Sequence, residues 1–392
     1  MSQAVYVVSA ARTPIGAFQG TLSSMSAPKL GAEAIKGALK RANLAAELIE
    51  EVFMGNVLSA GIGQAPARQA LIYSGIPNTV PATTVGKVCG SGLQAVILAA
   101  RNIALGEADL IVAGGMESMS NVPYYLQGAR NGYRLGDNKV TDGMIFDGLW
   151  DPYNNMHMGN CGDKCAAEYK FTREAQDDFA KESFRRALSA QKEGLFKAEI
   201  EAVAVPQRKG DAVMVTEDEG PPKGDPAKIS KLSPAFSKDG TITAANASSI
   251  NDGASALILA SEAAVKKHNL TPLGRIAGYA SVAQDPVQFT TAPAKAMEKV
   301  QAKLGLKPND IDLYEINEAF AVVAMVCAQL NGISTDRVNV RGGAVALGHP
   351  IGASGARILT TLLHTMKDQN KKRGCASICI GGGEALALVI ER

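Results

Sequence analysis

Apolar residues recur along this chain at two alternating periods. Val5-Tyr6-Val7-Val8-Ser9 opens as a strand-like run. After Val88-Cys89-Gly90-Ser91-Gly92, the positions Leu93, Val96, Ile97, Ala100, Ile103 and Ala104 fall at helical spacing, which predicts a helix beginning at or just after Cys89. Ala376-Ser377-Ile378 predicts a strand that ends in Cys379-Ile380-Gly381-Gly382-Gly383. An amphipathic helix is predicted from about Arg173 to Glu193, with Thr172 as its N-cap and Gln176 beyond. Strands alternating with helical stretches predict α/β layers.

The same order of elements occurs twice. Val52–Asn56 resembles Leu313–Asn317 at an offset of 261, and Ser91-Gly92 resembles Ser354-Gly355 at an offset of 263. Ile111–Glu117 resembles Ile378–Glu384 at an offset of 267. Three matches in one order point to an internal duplication. Between the halves, residues 119–249 change texture, with Pro123, Asn131-Gly132, Gly136-Asp137 and Pro221-Pro222. That length is too great for a structureless loop, so an ordered excursion is expected.

Three glycine-rich segments carry reactive side chains. At a helix N-terminus, free backbone N–H groups and the dipole would favour a thiolate at Cys89. Such a cysteine taken singly is more often a core residue. His349, in Gly348-His349-Pro350, is framed by small residues and placed to meet a ligand. The bare backbone after Cys379 suits an oxyanion. Two cysteines and a histidine in such loops point to thiol-based acyl chemistry.

Composition narrows the class. A chain of 392 residues with 46% hydrophobic content supports two or three domains. A net charge of +2 without a long basic run argues against nucleic acid as the main partner. Six cysteines in a chain this long do not read as a disulfide framework. Met1-Ser2-Gln3 leads straight into a strand, so neither a secretory nor an Arg-rich transit segment is expected. No stretch of roughly 18 apolar residues is expected to span a membrane. The expected location is cytoplasmic, although a mature mitochondrial form would look the same.

These segments together resemble the thiolases, most closely the short-chain acetoacetyl-CoA thiolases. The resemblance runs from Val5 to the C-terminus. It rests on Val8–Gly16, Ala113-Gly114-Gly115-Met116-Glu117-Ser118-Met119-Ser120, Asn317-Glu318-Ala319-Phe320, Gly348-His349-Pro350 and Cys379–Gly383, all in family order. It implies a thiolase fold of two duplicated α/β halves, layered αβαβα, with an inserted loop domain. The implied division is 1–118 plus 250–270 for the first half, 119–249 for the loop domain and 271–392 for the second half.

By the same resemblance, Cys89 is the nucleophile that becomes acetylated, His349 takes its proton and Cys379 is the second acid/base. Asn317 with His349 supports one oxyanion site, and the N–H groups of Cys89 and Gly381 form the other. Leu149, His157, Met158, Ala235, Phe236, Ser248, Phe289, Ala319 and Phe320 fall at acyl-pocket or pantetheine positions. The implied reaction is the reversible ping-pong condensation of two acetyl-CoA to acetoacetyl-CoA and CoA, with no tightly bound cofactor. Thr243–Ser248 resembles the potassium-dependent members. There the carbonyls of Ala244, Ala245, Ala247 and Val345 and the Tyr153 hydroxyl would hold a monovalent cation through oxygen. Residues 118–135 would supply contacts in a homotetramer.

The chain departs from the family pattern at Gly86, Trp150 and Asn160-Cys161-Gly162-Asp163, which bears on pocket shape. Phe289 stands where bacterial biosynthetic members often have Met, and goes with 2-methyl-branched substrates in the animal mitochondrial type. The competing readings are a degradative 3-ketoacyl-CoA thiolase of broader chain length, a decarboxylating ketoacyl synthase and a non-catalytic CoA-binding homologue. Cys379 argues against the synthase. His157, Cys161 and Cys165 share one helical face, but Gly159, Gly162 and the missing fourth ligand argue against a metal site.

Overall fold

The computed structural model describes residues 3–392. Two of its strands, β4 (Leu110–Ser118) and β5 (Asn251–Ser261), are buried at every position. A strand covered on both faces needs helices on both sides, and the layers follow from that.

The first half contains β1 (Val5–Arg12), α1 (Ala27–Ala42), β2 (Glu51–Gly55), β3 (Ala82–Val85) and α2 (Ser91–Leu105), followed by β4 and β5. The second half contains β6 (Gly274–Ala283), α5 (Ala292–Leu304), β7 (Leu313–Ile316) and α6 (Ala321–Asn331). It continues with α7 (Ile351–Asp368), β8 (Arg373–Ile380) and β9 (Glu384–Glu391). Between β4 and β5 lie α3 (Met158–Glu168) and α4 (Arg173–Lys192), with several two- and three-residue ribbons. Thr172 caps α4 as expected, its side chain accepting from the Ala175 N–H at 3.1 Å.

The strand order is β7-β8-β9-β6-β1-β5-β4-β2-β3. Within the sheet, the described residues pair the two halves through Tyr6↔Arg275 and Val7↔Gly274. Each half carries its own parallel pair at the same place, β2 beside β4 and β7 beside β8. One apolar cluster combines Leu93, Val96 and Ile97 of α2 with Leu359 and Leu362 of α7, Leu257 and Leu259 of β5, and Leu386 and Leu388 of β9. The helices α2 and α7 therefore form the central layer. Outside, α1 packs on the first half-sheet and α5 and α6 on the second.

Strand pairing shifts one sequence match. Val52 pairs with Val112 and Leu313 with Gly374, so the spatial offset between β4 and β8 is 262, not 267. The glycine pairs that drove the longer offset are not spatial equivalents. Glu117 instead corresponds to Cys379.

The window Val88–Leu105 is apolar and long enough to cross a membrane by length and composition, contrary to expectation. It lies in the central layer, and its apolar character serves packing on two sides.

The central helices come backbone to backbone where their glycines cross. A Cβ on Gly355 would stand 2.5 Å from the Leu93 nitrogen, and one on Gly92 2.9 Å from the Ala356 nitrogen. Gly355→Ala is expected to cost about 2–3 kcal/mol in denaturant unfolding, because backbone rather than a flexible side chain must move. An unchanged midpoint would show that the crossing is loose.

Candidate active site

Cys89 lies between β3 and α2, where Ser91 fixes the turn. The Ser91 hydroxyl accepts from Lys87 N–H at 2.8 Å and donates to the Val88 carbonyl at 2.7 Å. Gly90 is the N-cap of α2, so Cys89 sits just ahead of the helix as predicted. The expected thiolate does not follow. Burial pushes the Cys89 thiol up to about 11, although the N–H groups of Gly381 and Cys89 itself act the other way. Desolvation outweighs the helix terminus here.

His349 precedes α7. Its backbone N–H donates to Asn251 Oδ1 at 3.0 Å. Gly348 before it has φ +105°, and a Cβ there would meet the Asn251 side chain. The ring is held by Ser354: Nδ1 and Oγ are 2.6 Å apart, and Oγ donates to the Pro350 carbonyl at 2.9 Å. With its hydrogen spent on Pro350, Ser354 accepts from Nδ1–H. Nε2 is then the free lone pair, and it has no partner among the described residues. Burial, and behind it Arg357, pushes the imidazole down to about 3, so it rests neutral.

Cys379 ends β8, fully buried. Its thiol is raised well above the usual range by burial and by Cys89 opposite. Asn317 follows β7, its N–H donating to the Ser377 carbonyl at 3.0 Å. It does not cap a helix, since α6 begins at Ala321. Both ends of its buried amide lack partners among the described residues.

A cavity of about 340 Å³ opens onto Cys89, His349 and Gly381. All nine expected pocket residues line it: Leu149, His157, Met158, Ala235, Phe236, Ser248, Phe289, Ala319 and Phe320. Cys379 and Asn317 are buried and are not among the residues that line it. Four rings close one side. His157 stacks on Phe236 at 4.6 Å, and Phe320 meets Phe236 and Phe289 edge-on at 6.2 and 6.5 Å. Met119, Ser249 and Ile250 also line the cavity and were missed. They border the inserted segment, where sequence pattern carries no facing information.

Trp150 does not line the cavity; its indole N–H donates to Asn155 at 3.2 Å. Gly86 has open space where a Cβ would stand. The altered 160–163 stretch acts as a brace instead. Asn160 donates to the Phe236 carbonyl, and Asp163 accepts from Thr241 and Ile242 N–H. Of the expected cation ligands, Ala244 and Ala247 line the cavity, whereas Ala245, Val345 and Tyr153 do not. Among the described residues no hydrogen bond reaches the carbonyls of Ala244, Ala245, Ala247 or Val345, and oxygen donors of this kind are the type a hard cation takes.

A thiol and a neutral imidazole from the two halves of the fold face one cavity, with a second thiol close to the first. The family descriptions "Thiolase, N-terminal domain" and "Thiolase, C-terminal domain" match residues 5–263 and 270–392. The chain belongs to the thiolase family. It is 54% identical over 389 residues to "Acetyl-CoA acetyltransferase 2" of Arabidopsis thaliana, covering 99% of this chain and 96% of that one. It is 53% identical over 389 residues to "Acetyl-CoA acetyltransferase" of Cupriavidus necator, covering 99% of each. The crystal structure of Acat5 thiolase from Ascaris suum in complex with coenzyme A superposes with a TM-score of 0.95, at 45% identity and full coverage of both chains.

Ser354→Ala removes the acceptor that fixes the His349 tautomer. Iodoacetamide alkylation of Cys89 at neutral pH is expected to slow by about tenfold. An unchanged rate would show that the tautomer is set elsewhere.

Proposed function

We propose that this chain is an acetyl-CoA C-acetyltransferase, condensing two acetyl-CoA to acetoacetyl-CoA and CoA through an acetyl-Cys89 intermediate. The observation that carries the reading is the meeting of Cys89, the Gly381 N–H and the neutral His349 at one cavity, with the Cys379 thiol near enough to Cys89 for each to feel the other's charge. The names of the two acetyltransferase relatives and the coenzyme A complex of the Ascaris thiolase support it.

The steps follow from the groups present. Cys89 sulfur attacks the thioester carbonyl as its proton passes to His349 Nε2. The C–S bond to CoA breaks, and CoA leaves with the Cys379 proton. The Cys379 thiolate then takes an α-proton from the second acetyl-CoA. The enolate carbon attacks acetyl-Cys89, whose sulfur leaves and recovers its proton from His349. The carbonyl oxygen of the acyl-enzyme is held by the Cys89 and Gly381 N–H groups. The enolate oxygen is held by the His349 imidazolium and, through water, by Asn317. Thiol and thioester exchange with little change in energy, so the sequence runs both ways.

The ring cluster at the cavity supports short acyl groups, and Phe289 within it supports a 2-methyl branch. The segment 119–249 serves in this reading as the domain that shapes the acyl site and holds CoA. Its apolar side chains Tyr124, Leu126 and Leu135, the last 98% exposed, support assembly as a homotetramer. Potassium at the free carbonyls of residues 244–247 and 345 would stiffen the pocket loop by neutralising converging oxygen dipoles. A cytoplasmic place in mevalonate and sterol synthesis, or in ketone-body, fatty-acid or isoleucine breakdown, completes the reading.

The test is thiolysis of acetoacetyl-CoA, 2-methylacetoacetyl-CoA and a long-chain 3-ketoacyl-CoA, each with potassium or with a large organic cation. Fast turnover of the short substrates alone is expected, with Cys89→Ala losing at least about a thousandfold in kcat. Preference for the long chain would move the protein to the degradative class. Equal rates in the two cations would remove the potassium site.

A further inference from the structure

Arg357 is a buried cation to which the described residues offer no hydrogen bond. It lies on α7 one turn beyond Ser354, so the two side chains share a helix face. Ser354 holds His349, and Arg357 stands behind it. The side chain is 2% exposed, and none of its three guanidinium nitrogens has a hydrogen-bond partner among the described residues.

The surrounding charges come from several elements. Arg12 faces it from β1, Glu199 from the segment after α4, and Glu315 and Glu318 from β7 and the turn after it. Arg341 faces Glu315 from the loop before α7. Most of these are engaged elsewhere. Glu318 accepts from Ser183, Asn339 and the Val345 N–H. Glu199 accepts from Arg12 and Thr361. Arg12 itself is held bidentate by Asp218. Only Glu315 approaches Arg357 as an ion pair, at 3.6 Å. Burial pushes the Glu315 carboxyl up to about 8 against the pull of Arg357, so it is a weak counter-charge at neutral pH.

We propose that Arg357 is a positioning residue for His349: its charge, which no carboxylate ties down by a hydrogen bond, disfavours the imidazolium, so the proton taken from Cys89 is loosely held and readily returned. This rests on the Cys89–His349 pair of the proposed mechanism. The proton moves from Cys89 sulfur to Nε2 as the sulfur–carbonyl bond forms, and returns when that bond breaks. In between, a strongly acidic Nε2–H is a strong donor to the enolate oxygen. The same charge keeps the resting pair as thiol and imidazole, which protects Cys89 from stray electrophiles.

The full-length protein is tested by iodoacetamide alkylation of Cys89, read by peptide mass from neutral to alkaline pH. Arg357→Met is expected to alkylate severalfold faster at neutral pH, because the imidazolium–thiolate pair becomes populated. The alkaline limit, where Cys89 is already thiolate, should not move. Arg357→Lys keeps the charge and should follow the parent profile. If Arg357→Met fails to fold, the double variant Arg357→Met/Glu315→Gln removes both charges and carries the same expectation. A rise at every pH would mark opened packing and overturn the proposal, as would an unchanged profile. His349→Asn separates the two levels. If it leaves alkylation unchanged, the Cys89–His349 pair itself falls. If it slows alkylation while the Arg357 variants do nothing, only the role of Arg357 falls.

Discussion

The close approach of α2 and α7 is the constraint on which the site depends. Cys89 immediately precedes one helix and His349 the other. Their distance is set by how near the two N-termini come, and that is set by Gly92 and Gly355 meeting backbone. Gly115 adds to the crossing, since a Cβ there would stand 2.0 Å from the Gly352 carbonyl. A methyl group at any of these points would move a catalytic loop rather than a surface. Burial of both helices between half-sheets resists such movement, because a packed core transmits displacement instead of absorbing it.

Duplication explains why the two loops meet at all, and divergence explains why the two resulting sites carry different groups. In the first half, Asn56 and Glu117 are joined by the Gly352 N–H from the other half's helix. Glu117 accepts from Asn56 Nδ2, Val57 N–H, Leu58 N–H and Gly352 N–H. At the corresponding positions the second half places Asn317 and Cys379, and the first half supplies Cys89 where the second half supplied Gly352. There the carboxylate is replaced by a thiol, and the Asn317 amide keeps no partner among the described residues. One copy of the arrangement is hydrogen-bonded at every polar side-chain atom but Asn56 Oδ1, and it holds the halves together. The other has buried polar capacity left over, which is what a site awaiting a substrate oxygen requires.

The sequence made the α/β alternation and the capped helix legible because each carries a local sign, a period or a cap, whereas the pocket residues were legible only through the resemblance to a known family. Long-range facts were less so. The offset of 267 was drawn by glycine pairs that look alike, whereas register is decided by which strand lies beside which. Arg357 and Glu117 read as ordinary charged residues, since nothing local reports that a charge is buried. Trp150 stands next to a pocket residue in sequence and outside the cavity in space. Ser354 was noticed only as half of a repeat, yet its hydroxyl decides which nitrogen of His349 is free. The cysteine at a helix terminus misled in sign, because the dipole is visible in sequence and desolvation is not.

That sign change has a chemical consequence under the proposed reading. A site that stored a thiolate at rest would need a fixed cation to hold it, and the acyl end of this cavity is walled by Phe236, Phe289, Phe320 and a neutral His157. Such walls do not stabilise charge in the absence of substrate. They allow it only once a carbonyl oxygen reaches the N–H groups of Cys89 and Gly381, or His349 and Asn317. Charge and substrate then arrive together, and each step stabilises the next by hydrogen bonds already in place. Near-equal energies of thiol and thioester on either side of the transfer leave no deep well in which the acyl group is trapped. A neutral resting site lined by aromatic rings is thus suited to a reaction that must run in both directions.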